Sequence, residues 1–431
     1  MATTYLQRTV SSTGSRKKAT FSAWIKRSKL GERWFLNAGG NNSSGYNLKI
    51  GFGGSDEIFI LNQSGSTNLR YQTTRQLRDT SAWYHIVVAL DTTNSTSTDR
   101  VKIYINGTRE TGIYNVTVPS VNLDLEMNQS TSSKNLMAIG TRYNTGDLFD
   151  GIMSHVHWCD GTALAPTVFG STDSTTGEWK INTAPSFTPG TNGFTILKDG
   201  NTITDQSANS NNFSLGAGTL TNTKDCPSNV FATLNPLIPT VPTAGTNNDT
   251  TGTLTNGNLT WTSTNAVWNS RGSGNMFVDT GKFYWETKMN SGSDFNAFIG
   301  ISPTTTVQEY FDGTMGKTGN FAYYKNGQKY IGTSASSYGD AWVAGDIIGT
   351  ALDATNSKLY FSKNGTWQNS GNPASGSTGT GAIPIDANTL YTPRCTIHHM
   401  GMSFNFGNGF FGTTAITTNS GNGYAGAEGA S

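Results

Sequence analysis

The chain of 431 residues has little charge, little cysteine and no long apolar run. Charged residues make up 13%, against about 25% in an average soluble protein. With 29 basic and 28 acidic residues the net charge is +1, so no global field favours nucleic acid or an anionic membrane. The three cysteines, Cys159, Cys226 and Cys395, lie far apart without CxxC spacing. They supply no disulfide framework, and nothing points to oxidative secretion. The longest apolar runs, such as IVVAL at 86–90, are too short to cross a bilayer. The first ten residues, MATTYLQRTV, lack the core of a signal peptide. Synthesis in a cytoplasm without membrane insertion is the expectation.

Helix formers are also scarce. Gly, Thr, Ser and Asn together account for 199 residues, a composition rich in turns and poor in helix propensity. Disorder is excluded by 21 Phe, 16 Tyr and 10 Trp, which bring abundant buriable surface. What is present is period-2 alternation. In VKIYINGTRE (101–110), Val101, Ile103 and Ile105 share one face, and Asn106-Gly107 then supplies a hairpin turn. FSAWIKRS (21–28), WYHIVVALD (83–91), KFYWETKM (282–289), AFIGIS (297–302), IIGTALD (347–353), KLYFSKNG (358–365) and MSFNFG (402–407) read as further strands. No window predicts a helix of three turns. The fold class is therefore all-β: two antiparallel β-sandwich, jelly-roll-like domains in tandem.

Prolines mark the joints. Pro185, Pro189, Pro227, Pro236, Pro239 and Pro242 are half of the chain's 12. The expected division is domain one at 1–165, a Pro-rich connecting region at 166–245, domain two at 246–412 and a flexible Gly-rich tail at 413–431. Charge is uneven at the start, where residues 1–33 hold eight basic residues against Glu32 alone. Basic edges that resist strand pairing are the ordinary reading. An anchor for an acidic partner is the sharper one.

TFSAWIKRS (20–28), WYHIVVALD (83–91), VKIYINGTRE (101–110) and DGIMSHVHWCDGTAL (150–164) together resemble the concanavalin A-like lectin/glucanase sandwich in its laminin-G-like form. GKFYWETKM (281–289), AFIGIS (297–302), GDIIGTALD (345–353), KLYFSKNGTW (358–367) and LYTPRCTIHHMGMSFNFG (390–407) resemble an SPRY domain. Between them, ALAPTVFG (163–170), GEWK (177–180), TNGFTI (191–196), DQSANSNNF (205–213) and CPSNVFATLNP (226–236) are similar to a segment that follows lectin-like domains in structural proteins of tailed phages. The resemblances imply a non-enzymatic virion surface protein, a tail fibre or head decoration. It would bind host-surface carbohydrate or protein, or neighbouring virion proteins, as a homo-oligomer. A glycan depolymerase and a cellular SPRY adaptor are the alternatives.

Candidate sites follow from side-chain chemistry. Retaining glycan cleavage needs two closely spaced carboxyls, and Asp124 with Glu126 is the only tempting pair on one strand face, followed by Asn128; Asp56 and Glu57 would point apart. His155, His157 and Cys159 alternate, a spacing zinc accepts, although a structural role is the expectation; His398 and His399 point opposite ways. Calcium is the one cofactor considered, at the Asp147/Asp150 loop. Sugar recognition uses aromatic faces, amides and guanidinium groups. That points to Arg142, Tyr143, Asn144 and Asp147 in domain one, and to Tyr310, Tyr323, Tyr324 and Trp342 in domain two.

Overall fold

The computed structural model describes residues 3–40, 45–142, 147–198, 202–237, 252–263, 270–290, 296–304, 319–398, 400–412 and 414–415. The chain divides into two compact units. The first is 1–222 with 226–230; the second is 223–225 with 231–431.

The strands of the first unit are β1 (Tyr5–Thr9), β2 (Lys18–Arg27), β3 (Arg33–Gly39), β4 (Tyr46–Phe52), β5 (Glu57–Ser64), β6 (Ser66–Gln76), β7 (Tyr84–Asp91), β8 (Val101–Ile105), β9 (Thr108–Arg109), β10 (Ile113–Thr117), β11 (Leu136–Ile139), β12 (Gly151–Asp160), β13 (Gly170–Thr172), β14 (Trp179–Ile181), β15 (Phe194–Ile196) and β16 (Ser214–Ala217). An eight-stranded antiparallel sheet runs β10-β6-β5-β4-β3-β11-β1-β16, and a six-stranded one runs β15-β12-β2-β7-β8-β9. Alternation turns Phe21, Ala23 and Ile25 of β2, Ile86, Val88 and Leu90 of β7, and Leu48, Ile50 and Phe52 of β4 into one shared core. The Asn106-Gly107 turn takes positive φ at both residues, 49° and 77°, as a type I′ hairpin demands.

The stretch 166–245 is not simply a connection. β13 and β14 form a separate hairpin, β15 then extends the six-stranded sheet, and β16 extends the eight-stranded sheet by pairing with β1. Asp205, in the DQSANSNNF motif, binds this return together. Its carboxylate accepts from the Thr195, Ser207 and Asn211 N–H groups and from the Ser207 hydroxyl. Turn chemistry rather than apolar periodicity therefore fixes this part of the chain.

The second unit holds β17 (Thr253–Thr255), β18 (Thr260–Thr262), β19 (Ser270–Ser273), β20 (Lys282–Met289), β21 (Asn296–Pro303), β22 (Phe321–Tyr324), β23 (Gln328–Ile331), β24 (Ser334–Ser337), β25 (Ile347–Asp353), β26 (Lys358–Lys363), β27 (Thr366–Trp367), β28 (Ile383–Pro384), β29 (Tyr391–His398) and β30 (Gly401–Asn405). One sheet runs β17-β18-β30-β20-β25-β26-β27, with β28 also on β26; the other runs β19-β29-β21-β22-β23-β24. Their inner faces enclose Trp285, Met289, Ile299, Ile301, Phe361, Met402 and Phe404. The all-β, multi-sheet antiparallel class is as expected. Of the tail 413–431, only 414–415 lies within the described residues.

Candidate functional site

The basic start of the chain is largely consumed inside the first unit. Arg16 faces Asp124 at 3.8 Å and Glu126 at 3.5 Å, and Lys18 pairs with Asp91 at 3.3 Å. Arg27 is fully buried and lies 3.0 Å from Asp56, which Arg78 also reaches at 3.0 Å. Burial alone would raise the Asp56 carboxyl, yet the Gly31 N–H, Arg78 and Arg27 outweigh it and hold it below the usual carboxylate range. Arg16, Lys18 and Arg27 thus serve the fold.

Two of the predicted binding residues are brought together. Arg142 contacts Asp147 at 3.0 Å and Glu32 at 3.6 Å, with each of the three side chains roughly one-third exposed. Tyr143 and Asn144 lie outside the described residues. Beneath the ion cluster sits Trp34, whose indole N–H donates to Glu32 Oε1 at 2.9 Å and whose backbone N–H donates to the Asp147 carbonyl. Trp34, Phe59 and Leu61 form an apolar patch on the outer face of the eight-stranded sheet. The Lys49 ammonium stands 5.4 Å above the Trp34 ring. Burial, then repulsion from Arg142, lowers the Lys49 pKa to about 8 against the pull of Glu32 and Asp147. Trp34 escapes sequence reasoning because a bulge between Trp34 and Leu36 breaks the alternation on β3; Glu32 precedes that strand and Lys49 lies on β4. Asp147 is engaged by a guanidinium and the Asp150 carbonyl accepts from Ser28. Among the described residues no three acidic, His or Cys side chains group as metal ligands. Calcium at this loop would compete with Arg142 for Asp147 Oδ2.

The two carboxylates considered for catalysis differ: the Asp124 side chain is 53% exposed, whereas Glu126 is structural in its contacts. Glu126 is buried, flanked by Arg16 and Lys134, and accepts hydrogen bonds from Ser64 and Gln129. Both of its oxygens are thus engaged by neighbouring side chains. His155, His157 and Cys159 do lie opposite the sandwich core, since Val156 and Trp158 point into it. His157 and Cys159 are covered, however, by the segment 166–188. Phe169 stacks on His157 at 5.3 Å, Phe187 meets its edge at 5.7 Å, and Cys159 Sγ donates to the Thr188 carbonyl. Beside them Trp24, His85 and Trp179 form a continuous stack, with centroids 4.8 and 5.9 Å apart. The Trp179 indole N–H donates to His85 Nδ1, so Nε2 carries the proton and donates to Ser22 Oγ at 2.9 Å. This Ser–His pair has no exposed surface and no carboxylate orienter, so it positions the hairpin instead of attacking a substrate. Burial, aided by the neighbouring His155, lowers the pKa of both His85 and His157 to about 3, and both are neutral.

In the second unit Tyr323 and Trp342 belong to the core, which corrects their assignment as ligand platforms. Tyr323 packs on Tyr338, Trp342 and Phe361, while the Trp342 N–H donates to the Tyr324 carbonyl. Tyr324 points the other way, as alternation requires. It stacks on Phe298 at 4.4 Å, meets Tyr330 edge-on and donates to Asn296 Oδ1. Tyr310 lies outside the described residues.

Residues 2–169 match the family model of the concanavalin A-like lectin/glucanases superfamily, and residues 282–382 match that of the SPRY domain. The chain carries both domains. Domains of these two types are typically non-catalytic binding modules. Against curated proteins, the dual specificity protein kinase splA of Dictyostelium discoideum is 28% identical over 85 residues, 20% of this chain and 3% of the kinase. The chain thus spans a small fraction of that relative. Among solved structures, the SPRY domain of human HERC1 is 19% identical, with TM-score 0.23, over 31% of this chain and 81% of that one. A heptameric SAP-like pentraxin from Limulus polyphemus is 14% identical, with TM-score 0.26, over 38% and 71%.

Proposed function

We propose that the chain is an adhesion protein of a tailed-phage surface, its lectin-like domain engaging glycan and its SPRY domain engaging protein. The supporting observation is the one-third-exposed Arg142–Asp147–Glu32 cluster on the outer face of the lectin-like sandwich, where charged groups remain reachable while Glu126, His85 and His157 are sealed. The virion setting rests on the phage-type segments between 163 and 236, and homo-oligomeric display would turn weak contacts into avidity. Neighbouring virion proteins are the other partners of this reading, and it calls for no cofactor, with calcium at Asp147 and Asp150 the one candidate. Binding to a glycan array and to whole host cells tests the proposal, with Arg142→Ala expected to reduce retention several-fold. Binding unaffected by that substitution moves the contact elsewhere. Absence of the chain from purified virions overturns the setting.

A further inference from the structure

The segment 166–188 lies over the six-stranded sheet without joining it. Its strands β13 and β14 pair only with each other, and every residue from 171 to 188 is partly or fully exposed. Among the described residues two hydrogen bonds fasten it to the sheet: the Trp179 indole N–H donates to His85 Nδ1 at 2.9 Å, and Cys159 Sγ donates to the Thr188 carbonyl at 3.2 Å. Its ring contacts with the sheet fall on two imidazoles. Trp179 stacks on His85, Phe169 touches both His85 and His157, and Phe187 meets the edge of His157. A flap that buries so little of itself is a unit that opens alone, before the strands beneath it separate.

The fastening needs neutral rings. A proton on His85 Nδ1 would turn the acceptor into a second donor facing the Trp179 N–H, and would leave a cation in a stack that water does not reach. The surrounding charges oppose it. His155 of β12 disfavours a charge on both rings, and His85 and Lys198 disfavour one on His157. On the same face Lys26 of β2 adds a further cation. Lys102 of β8 and Arg109 of β9 are taken by Asp99, and Asp91 of β7 is taken by Lys18. On the flap itself Asp173 pairs with Lys180 at 2.8 Å, and Glu178 is exposed. Opening gives both imidazoles water, so it takes up protons that the closed form refuses.

We propose that the flap 166–188 is an acid-released lid, closed at neutral pH and opened by protonation of His85 and His157, which bares the Trp24, His85 and His157 face of the sheet. The proposal stands apart from the adhesion reading, since no ligand enters it. Labelling of Cys159 by dithiodipyridine on the full chain, located by peptide mass spectrometry, tests it. Each rate is divided by that of the urea-unfolded chain at the same pH, and hydrogen exchange of the β2 amides marks unfolding of the sheet itself. Both rings titrate at about 3 when covered and near 6.5 when free. The open fraction should therefore rise roughly 600-fold from pH 7 to pH 5 while β2 stays protected. His85→Gln or His157→Gln should each cut the rise to about 25-fold, and the two together should abolish it. If the double variant fails to fold, NMR titration of the unaltered chain carries the comparison, because both imidazole signals must shift with the labelling. The proposal is overturned if Cys159 labelling does not rise in acid, if it rises only where the β2 amides lose protection, if the double variant keeps the rise, or if imidazole shifts and labelling move apart.

Discussion

The two outer faces of the lectin-like sandwich bury polar groups in opposite ways. On the six-stranded sheet the rings of Trp24, His85 and Trp179 stack, His157 lies under Phe169, and every imidazole nitrogen with a known partner meets a neutral group. On the eight-stranded sheet Trp34 lies under Glu32, Lys49, Arg142 and Asp147, a mixed-charge cover that solvent reaches. A face roofed by the chain's own aromatic side chains becomes interior. A face roofed by ions stays a surface, and it is there that a ligand has groups to exchange with.

The largest test of this contrast is Trp34→Ala. The side chain is 1% exposed, and its removal is expected to cost about 3–5 kcal/mol in urea unfolding. A loss under about 1 kcal/mol would mean that the charged cover collapses onto the gap. Acid should act on the opposite face. His85 and His157 titrate near 3 when folded and near 6.5 when unfolded. The unfolded chain therefore binds more protons between these values, and stability that is complete above about pH 6.5 falls as the pH drops toward 3. At pH 5 the loss is about 2 kcal/mol per histidine, and His85→Gln should remove its share of that slope.

Next in size is Trp179→Phe, which keeps an aromatic ring, though a smaller one, and deletes the donor to His85 Nδ1. About 1 kcal/mol of stability should go, with the imidazole ¹⁵N shifts reporting a changed tautomer balance. The smallest effect belongs to Arg142→Ala on the ionic face. Its partners are one-third exposed, so less than about 1 kcal/mol is expected, shrinking further in high salt. A larger, salt-independent cost would make the ion cluster part of the interior and erase the contrast.

Much of the fold can be read from alternation where strands are long. Met402 and Phe404 fall on one buried face as expected, and so do Trp285, Thr287 and Met289, although Phe283 at the start of the same face is 40% exposed. The return of residues 170–217 onto the first unit was not legible. β13 to β16 are three or four residues each, too short to show a period, and Phe169, Trp179 and Phe187 have no regular spacing. The same limit governs the sites. Tyr323 and Tyr324 are neighbours in sequence, so one had to face inward, and nothing local says which. Arg142 and Asp147 were visible as a polar loop. Their partners lie about a hundred residues earlier, Trp34 on β3, Lys49 on β4 and Glu32 just before β3, and only the register of the sheet joins them.

The pairing of β16 with β1 bears on where such a protein can be cut. The superfamily match stops at residue 169, but a polypeptide ended there would lack the outermost strand of both sheets and the lid over Trp24 and His85. It would present two raw edges and an oily wall, and clumping or proteolysis is the outcome to anticipate. Ended beyond residue 217 instead, the same module would keep its first and last strands side by side, zipped shut by the backbone itself.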